Sequence, residues 1–162
     1  MFRHILWIED QSKELGLFRR PLAEADFVVD VANDVTEAIS KLLHTDHLPK
    51  KCYHAVVFDI LLPPGNDLAW VKCANKLRKD KPDQEPRLGL ELLRSIFRHS
   101  SEDVPLDPPI VLDPKRLIVL TVVEDSAMKD QLMGYDIPED HIVLKSAAKA
   151  NILRVLVEKM KS

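Results

Sequence analysis

Glycine, cysteine and long apolar runs are all scarce in this chain, and each scarcity closes off a class of protein. Only four glycines occur in 162 residues. No Gly-rich loop follows the first apolar run, which removes the usual cradle for nucleotide phosphates. The two cysteines, Cys52 and Cys73, have neither CxxC nor CxxxC spacing. A reduced chain of the cytoplasm is the plain reading, with a disulfide between the two left open. No apolar run approaches the roughly 18 residues of a membrane span. Met1-Phe2-Arg3-His4 leads straight into a short apolar run, unlike a signal peptide. Positive charge is not in excess either: 23 Lys and Arg against 26 Asp and Glu leave a net charge of −3. That argues against nucleic-acid binding by the domain as a whole. There is no internal repeat and no low-complexity tract. With 46% hydrophobic and 30% charged residues, the chain has the composition of one globular domain over residues 1–162, large enough for a core.

What is present is a recurring device. Ala55-Val56-Val57-Phe58 is an apolar, branched run of the kind buried on both faces of a parallel sheet, and it delivers Asp59 where it should leave the core. Ile5-Leu6-Trp7-Ile8 runs into Glu9-Asp10, Leu117-Ile118-Val119-Leu120 into Thr121, and Ile142-Val143-Leu144 into Lys145. The carboxyl ends of parallel strands share one edge, where ligands bind at the switch point. Four runs therefore deliver carboxylates, a hydroxyl and an ammonium group to one rim.

Between these runs the spacing predicts helices. Ser12 is placed to cap a first helix with Leu15, Phe18, Leu22 and Ala25 on its face, kinked or restarted at Pro21. Phe27 to Val31 is a second strand, remote from the polar rim. Asp34 and Glu37 have capping-box spacing before a second helix, and 44–54 is a loop. Helices follow over 89–98, 126–133, and from Ser146 as cap to about Lys161. The alternation predicts an α/β, flavodoxin-like, doubly wound five-stranded parallel sheet of order 2-1-3-4-5 with helices on both faces.

Two stretches exceed that scheme, at about 66–88 and 99–115. In the first, Asn66 or Asp67 caps a short helix over 68–79, with Trp70, Val71, Ala74 and Leu77 on one face and Lys72, Lys76 and Lys79 on another. A solvated face accounts for these lysines better than a nucleic-acid patch. The helix is a candidate partner site or a lid on the rim. The second stretch carries Pro105, Pro108, Pro109 and Pro114 and reads as a loop without regular structure.

Carboxylates crowded beside Asp59 repel unless a cation sits among them, and hard Mg2+ suits such a pocket. A carboxylate can act as nucleophile toward phosphorus. A metal ion, a Lys and a Thr hydroxyl are the groups that offset charge on a moving phosphoryl group. Taken singly, each residue also has a plainer use. Glu9 or Asp10 can cap the first helix, Asp59 a loop, Thr121 the helix after its strand, and Lys145 can pair with any acid.

In order, Ile8-Glu9-Asp10, Phe58-Asp59-Ile60-Leu61-Leu62-Pro63, Gly89-Leu90-Glu91-Leu92-Leu93, Val119-Leu120-Thr121 and Leu144-Lys145 resemble the response-regulator receiver domain of two-component signalling. The resemblance implies a phosphorelay signalling module, not an enzyme, in the cytoplasm. Asp59 would accept a phosphoryl group from a sensor histidine kinase or phosphotransfer protein. Glu9, Asp10, Asp59 and the Leu61 backbone carbonyl would hold Mg2+, Thr121 would be the switch hydroxyl, and Lys145 would contact the phosphoryl group. Output would pass to a separate, unidentified protein or to a second copy in a homodimer, since the chain stops at Ser162 without a further domain.

The chain departs from the pattern in four places. Ser146 stands where the family has a Pro after its Lys. Ile142 replaces the aromatic three residues before that Lys, and Val122 the small residue after the Thr. The interval from Asp59 to Thr121 is about twice the usual one. The missing Pro, Ile142 and the long insertion favour, as one rival, a pseudo-receiver that binds partners without phosphorylation, while the intact set of five rim residues opposes it. A Mg2+-dependent phosphohydrolase of the haloacid-dehalogenase type would need a second Asp where Leu61 stands.

Overall fold

Strand β1, Arg3–Ile8, divides its side chains between two cores. Ile5 and Trp7 join one cluster, and Leu6 and Ile8 the other, because successive residues of a strand point to opposite faces. The same division recurs in β3, Ala55–Phe58, and β4, Leu117–Thr121. All nine residues of these two strands are buried. With β2, Phe27–Ala32, and β5, Ile142–Leu144, they form one parallel sheet in the expected order β2-β1-β3-β4-β5. The computed structural model describes residues 3–11, 13, 15–43, 53–98, 106–107 and 109–160. Ser12, Cys52, Pro105, Pro108 and most of the 44–54 loop lie outside them.

Helices cover both faces. Helix α1, Gly16–Glu24, and the last helix, α6, Ile152–Lys159, place Phe18, Leu22, Leu153, Leu156 and Val157 over one side. Helices α2, Val35–Leu43, α3, Leu68–Asp80, α4, Leu88–Arg98, and α5, Ser126–Met133, cover the other. Half of the capping box at α2 forms: Asp34 Oδ1 accepts the Glu37 amide at 2.7 Å, but the Glu37 carboxylate reaches back to the Asn33 amide, at 2.9 Å, and not to that of Asp34. Among the described residues no helix is long and apolar enough to cross a membrane.

Two expectations need correction. Helix α1 does not restart at Pro21 but runs through it from Gly16 to Glu24, giving up the bond that residue's absent N–H would have made. The last helix does not start at Ser146. Residues 145–147 form a single 3-10 turn, and α6 begins only after Asn151. Among the described residues of the second stretch, Pro114–Arg116 form a 3-10 turn, with Asp113 capping it through the Lys115 amide at 3.0 Å.

Helix α3 is the addition to the minimal alternation. Asp67 caps it, accepting the Ala69 and Trp70 amides at 2.8 and 3.4 Å. Its apolar face belongs to the core: Trp70, Cys73 and Ala74 are buried in the cluster that holds Phe58, Leu88 and Leu92. This helix is built in, as a lid would not be. Trp70→Ala is expected to lower the unfolding free energy by about 3–5 kcal/mol in a urea titration. A loss below about 1 kcal/mol would make α3 an appendage.

Candidate functional site

The sheet delivers its polar residues to one edge. The β1–β3 ladder continues through the Asp59 amide, which donates to the Ile8 carbonyl at 2.9 Å, so Glu9 and Asp59 leave adjacent strands together. Val119 pairs with Phe58 and Thr121 with Leu144. Thr121 and Lys145 therefore end their strands at the same edge. Glu9, Asp59 and Thr121 are all buried, at 1%, 4% and 1% exposure, whereas Asp10 is exposed.

Lys145 closes the group. Its Nζ donates to Glu9 Oε2 at 2.6 Å and to Asp59 Oδ2 at 3.2 Å. The other Asp59 oxygen accepts the Leu61 amide at 3.2 Å. Glu9, Asp10 and Asp59 can bring one oxygen each within 4.8 Å of one another. Three hard oxygen donors with a solvent-facing side suit a small divalent cation. Thr121 Oγ1 accepts the Val123 amide at 3.1 Å. It does not cap the helix after its strand; Asp125 does, through the Ala127 and Met128 amides.

Burial dominates the electrostatics of Glu9. It lifts the carboxyl from 4.5 to about 7; the Lys145 hydrogen bond works against that rise, and the Asp59 charge adds to it. Burial alone would pull Lys145 down, but its bond to Glu9 and the Asp59 charge outweigh it and hold the ammonium above its ordinary range.

The sequence did not reveal what packs this edge from behind. Gly65 takes φ +78° against α2, where a Cβ would lie 2.5 Å from Thr36 Oγ1. Thr36 Oγ1 donates to the Pro64 carbonyl at 2.8 Å and accepts the Asp67 amide at 3.1 Å. Gly89 lies against the Asp59 backbone; a Cβ there would fall 2.0 Å from the Asp59 carbonyl, and its amide donates to Ile60 at 2.9 Å. The Pro-Pro-Gly turn was a signal for Gly65, but nothing local marked Gly89 as a contact of Asp59.

No protein-family model matches the chain, and no curated protein does. Solved structures do match. A CheY-like response regulator receiver domain protein from Methanospirillum hungatei JF-1 superposes with a TM-score of 0.58 at 17% identity, covering 99% of this chain and 94% of that one. The BeF3-activated N-terminal receiver domain of RstA from Klebsiella pneumoniae gives 0.56 at 17%, covering 99% and 100%. The bacteriophytochrome response regulator AtBRR gives 0.52 at 22%, covering 99% and 93%. This is the receiver-domain fold. The receiver fold accounts for the sheet order and for the edge at which the four polar strand ends meet. It does not by itself assign their roles.

The raised Glu9 carboxyl has a consequence for metal-free protein. Between pH 4.5 and about 7 the folded state holds a proton that the unfolded chain has released, so stability falls as pH rises through that window. Chemical denaturation at pH 5 and pH 8 is expected to give the higher midpoint at pH 5, and Glu9→Gln should flatten the difference. An unchanged slope in Glu9→Gln would show that another group sets it.

Proposed function

We propose that this protein is a phosphoacceptor signalling module in which Asp59 takes a phosphoryl group from a sensor histidine kinase or phosphotransfer protein. The observation that carries this reading is the position of the Lys145 ammonium, 2.6 Å from Glu9 and 3.2 Å from Asp59, with Asp10 beside them. In the step, an Asp59 carboxylate oxygen attacks phosphorus as the P–N bond to the donor histidine breaks. The leaving electron pair returns to the imidazole. Lys145 offsets charge on the phosphoryl oxygens. Glu9, Asp10, Asp59 and the Leu61 carbonyl would hold Mg2+, which would supply further positive charge to those oxygens.

Signalling then follows from a shift of population. The phosphoryl group adds up to two negative charges, and the Thr121 hydroxyl turns from the Val123 amide to a phosphoryl oxygen. A cleft of about 300 Å3, lined by Thr121, Val123, Met128 and Ile142, gives the β4–α5 loop room to follow. The changed face meets an output protein or a second copy of the chain, in the cytoplasm.

Beryllofluoride, a tetrahedral stand-in for the phosphoryl group, tests this reading. With Mg2+ it is expected to bind the wild type and to quench or enhance the fluorescence of Trp7, which precedes Glu9 by two residues in β1. Asp59→Ala should show no such change. A second reading, a pseudo-receiver acting only by binding, is favoured by the Lys145–Glu9 contact, which gives one of the three carboxylates a partner without a metal ion. A wild type blind to Mg2+ and beryllofluoride would select it.

Side-chain chemistry sets the lifetime of the acyl phosphate. Leu61 and Val123, two residues past Asp59 and Thr121, are half-buried and neither can orient an attacking water. After labelling with a small-molecule phosphodonor, the phosphoryl group is expected to persist for minutes or longer. Loss within seconds would overturn that expectation.

A further inference from the structure

Arg87, in the linker after α3, reaches across to Asp125 with Nη1 and Oδ2 2.6 Å apart. This pair is tied into both neighbouring helices. The Arg87 carbonyl accepts the Leu90 and Glu91 amides at 3.1 and 3.2 Å and so opens α4, whose Gly89 is fixed to Ile60 and packed on Asp59. The second Asp125 oxygen caps α5. Asp125 is also the far post of a short loop, 122–124, whose near post is Thr121. Val123 and Glu124 of that loop, with Asp125, line the 300 Å3 cleft beside Thr121.

We propose that Arg87 is a positioning residue of the switch, carrying the state of Thr121 and Asp59 into the 81–87 linker and the inserted helix α3. The inference rests on the phosphoacceptor reading. When the Thr121 hydroxyl leaves the Val123 amide for a phosphoryl oxygen, the loop loses one of its two fixings and Asp125 shifts with it. The Arg87 guanidinium follows its carboxylate. Helix α4 cannot absorb that movement, because Gly89 holds its start against Ile60 and Asp59. The linker can: residues 81–85 are all exposed. It is tied back to α3 by the Lys81 amide on Leu77 at 2.9 Å, and internally by Gln84 on Lys81 at 3.1 Å. The displacement therefore emerges at the C-terminal end of α3, beside Lys79 and Lys81, on a surface the minimal β-α alternation does not contain.

The test is amide hydrogen exchange on the full chain with and without beryllofluoride plus Mg2+. In the wild type, exchange is expected to change at least threefold in both 122–128 and 81–87. In Arg87→Ala and in Asp125→Asn the change should persist at 122–128 and vanish at 81–87, while Arg87→Lys should keep part of it. Asn caps a helix as well as Asp does, so the second variant serves if the first fails to fold. An equal response at 81–87 in these variants, or a wild-type response confined to 122–128, overturns the inference alone. A wild type that binds no beryllofluoride sinks the phosphoacceptor reading and this inference with it, and is recognised by silence at 122–128 as well.

Discussion

One ammonium group holds the polar end of this sheet together. Lys145 arrives from β5, Glu9 from β1 and Asp59 from β3, and each is nearly withdrawn from water. A carboxylate buried without a partner is strongly unfavourable, and two side by side are worse. The Lys145 side chain spans β4 to reach them, so the site exists only when β1, β3, β4 and β5 are in register. Burial still lifts the Glu9 carboxyl to about 7, so Lys145 offsets only part of what its withdrawal from water costs.

Much of this was legible in the sequence because the relevant signals are local. Apolar runs of three or four residues, each ending in a polar group, announce buried parallel strands and the edge they share. Capping residues such as Asp34 and Asp67 are equally local, and they lie where the spacing predicts. The failures are also physical. A single Pro21 could not outweigh the burial of Phe18 and Leu22 on one continuous helix. Ser146 looked like a cap, but the three residues from Lys145 close a 3-10 turn before α6 can start.

Other features were out of reach because they depend on contacts distant in the chain. Arg87 and Asp125 are 38 residues apart, and neither has a neighbour that marks it. Gly89 could be read as the start of a helix; that its missing side chain lets α4 touch the Asp59 carbonyl is visible only in three dimensions. The inserted helix was ambiguous for a similar reason. Its lysines and its Trp were both evident, but only the core contacts of Trp70, Cys73 and Ala74 show which face governs its placement.

The bond between Thr36 and the Pro64 carbonyl, with the Val35 and Thr36 amides on Pro63 and Pro64, fastens the segment after Asp59 to the start of α2. Gly89 fastens it from the opposite direction. On that side the acidic pocket therefore has a wall braced twice, once through the start of α2 and once through the start of α4.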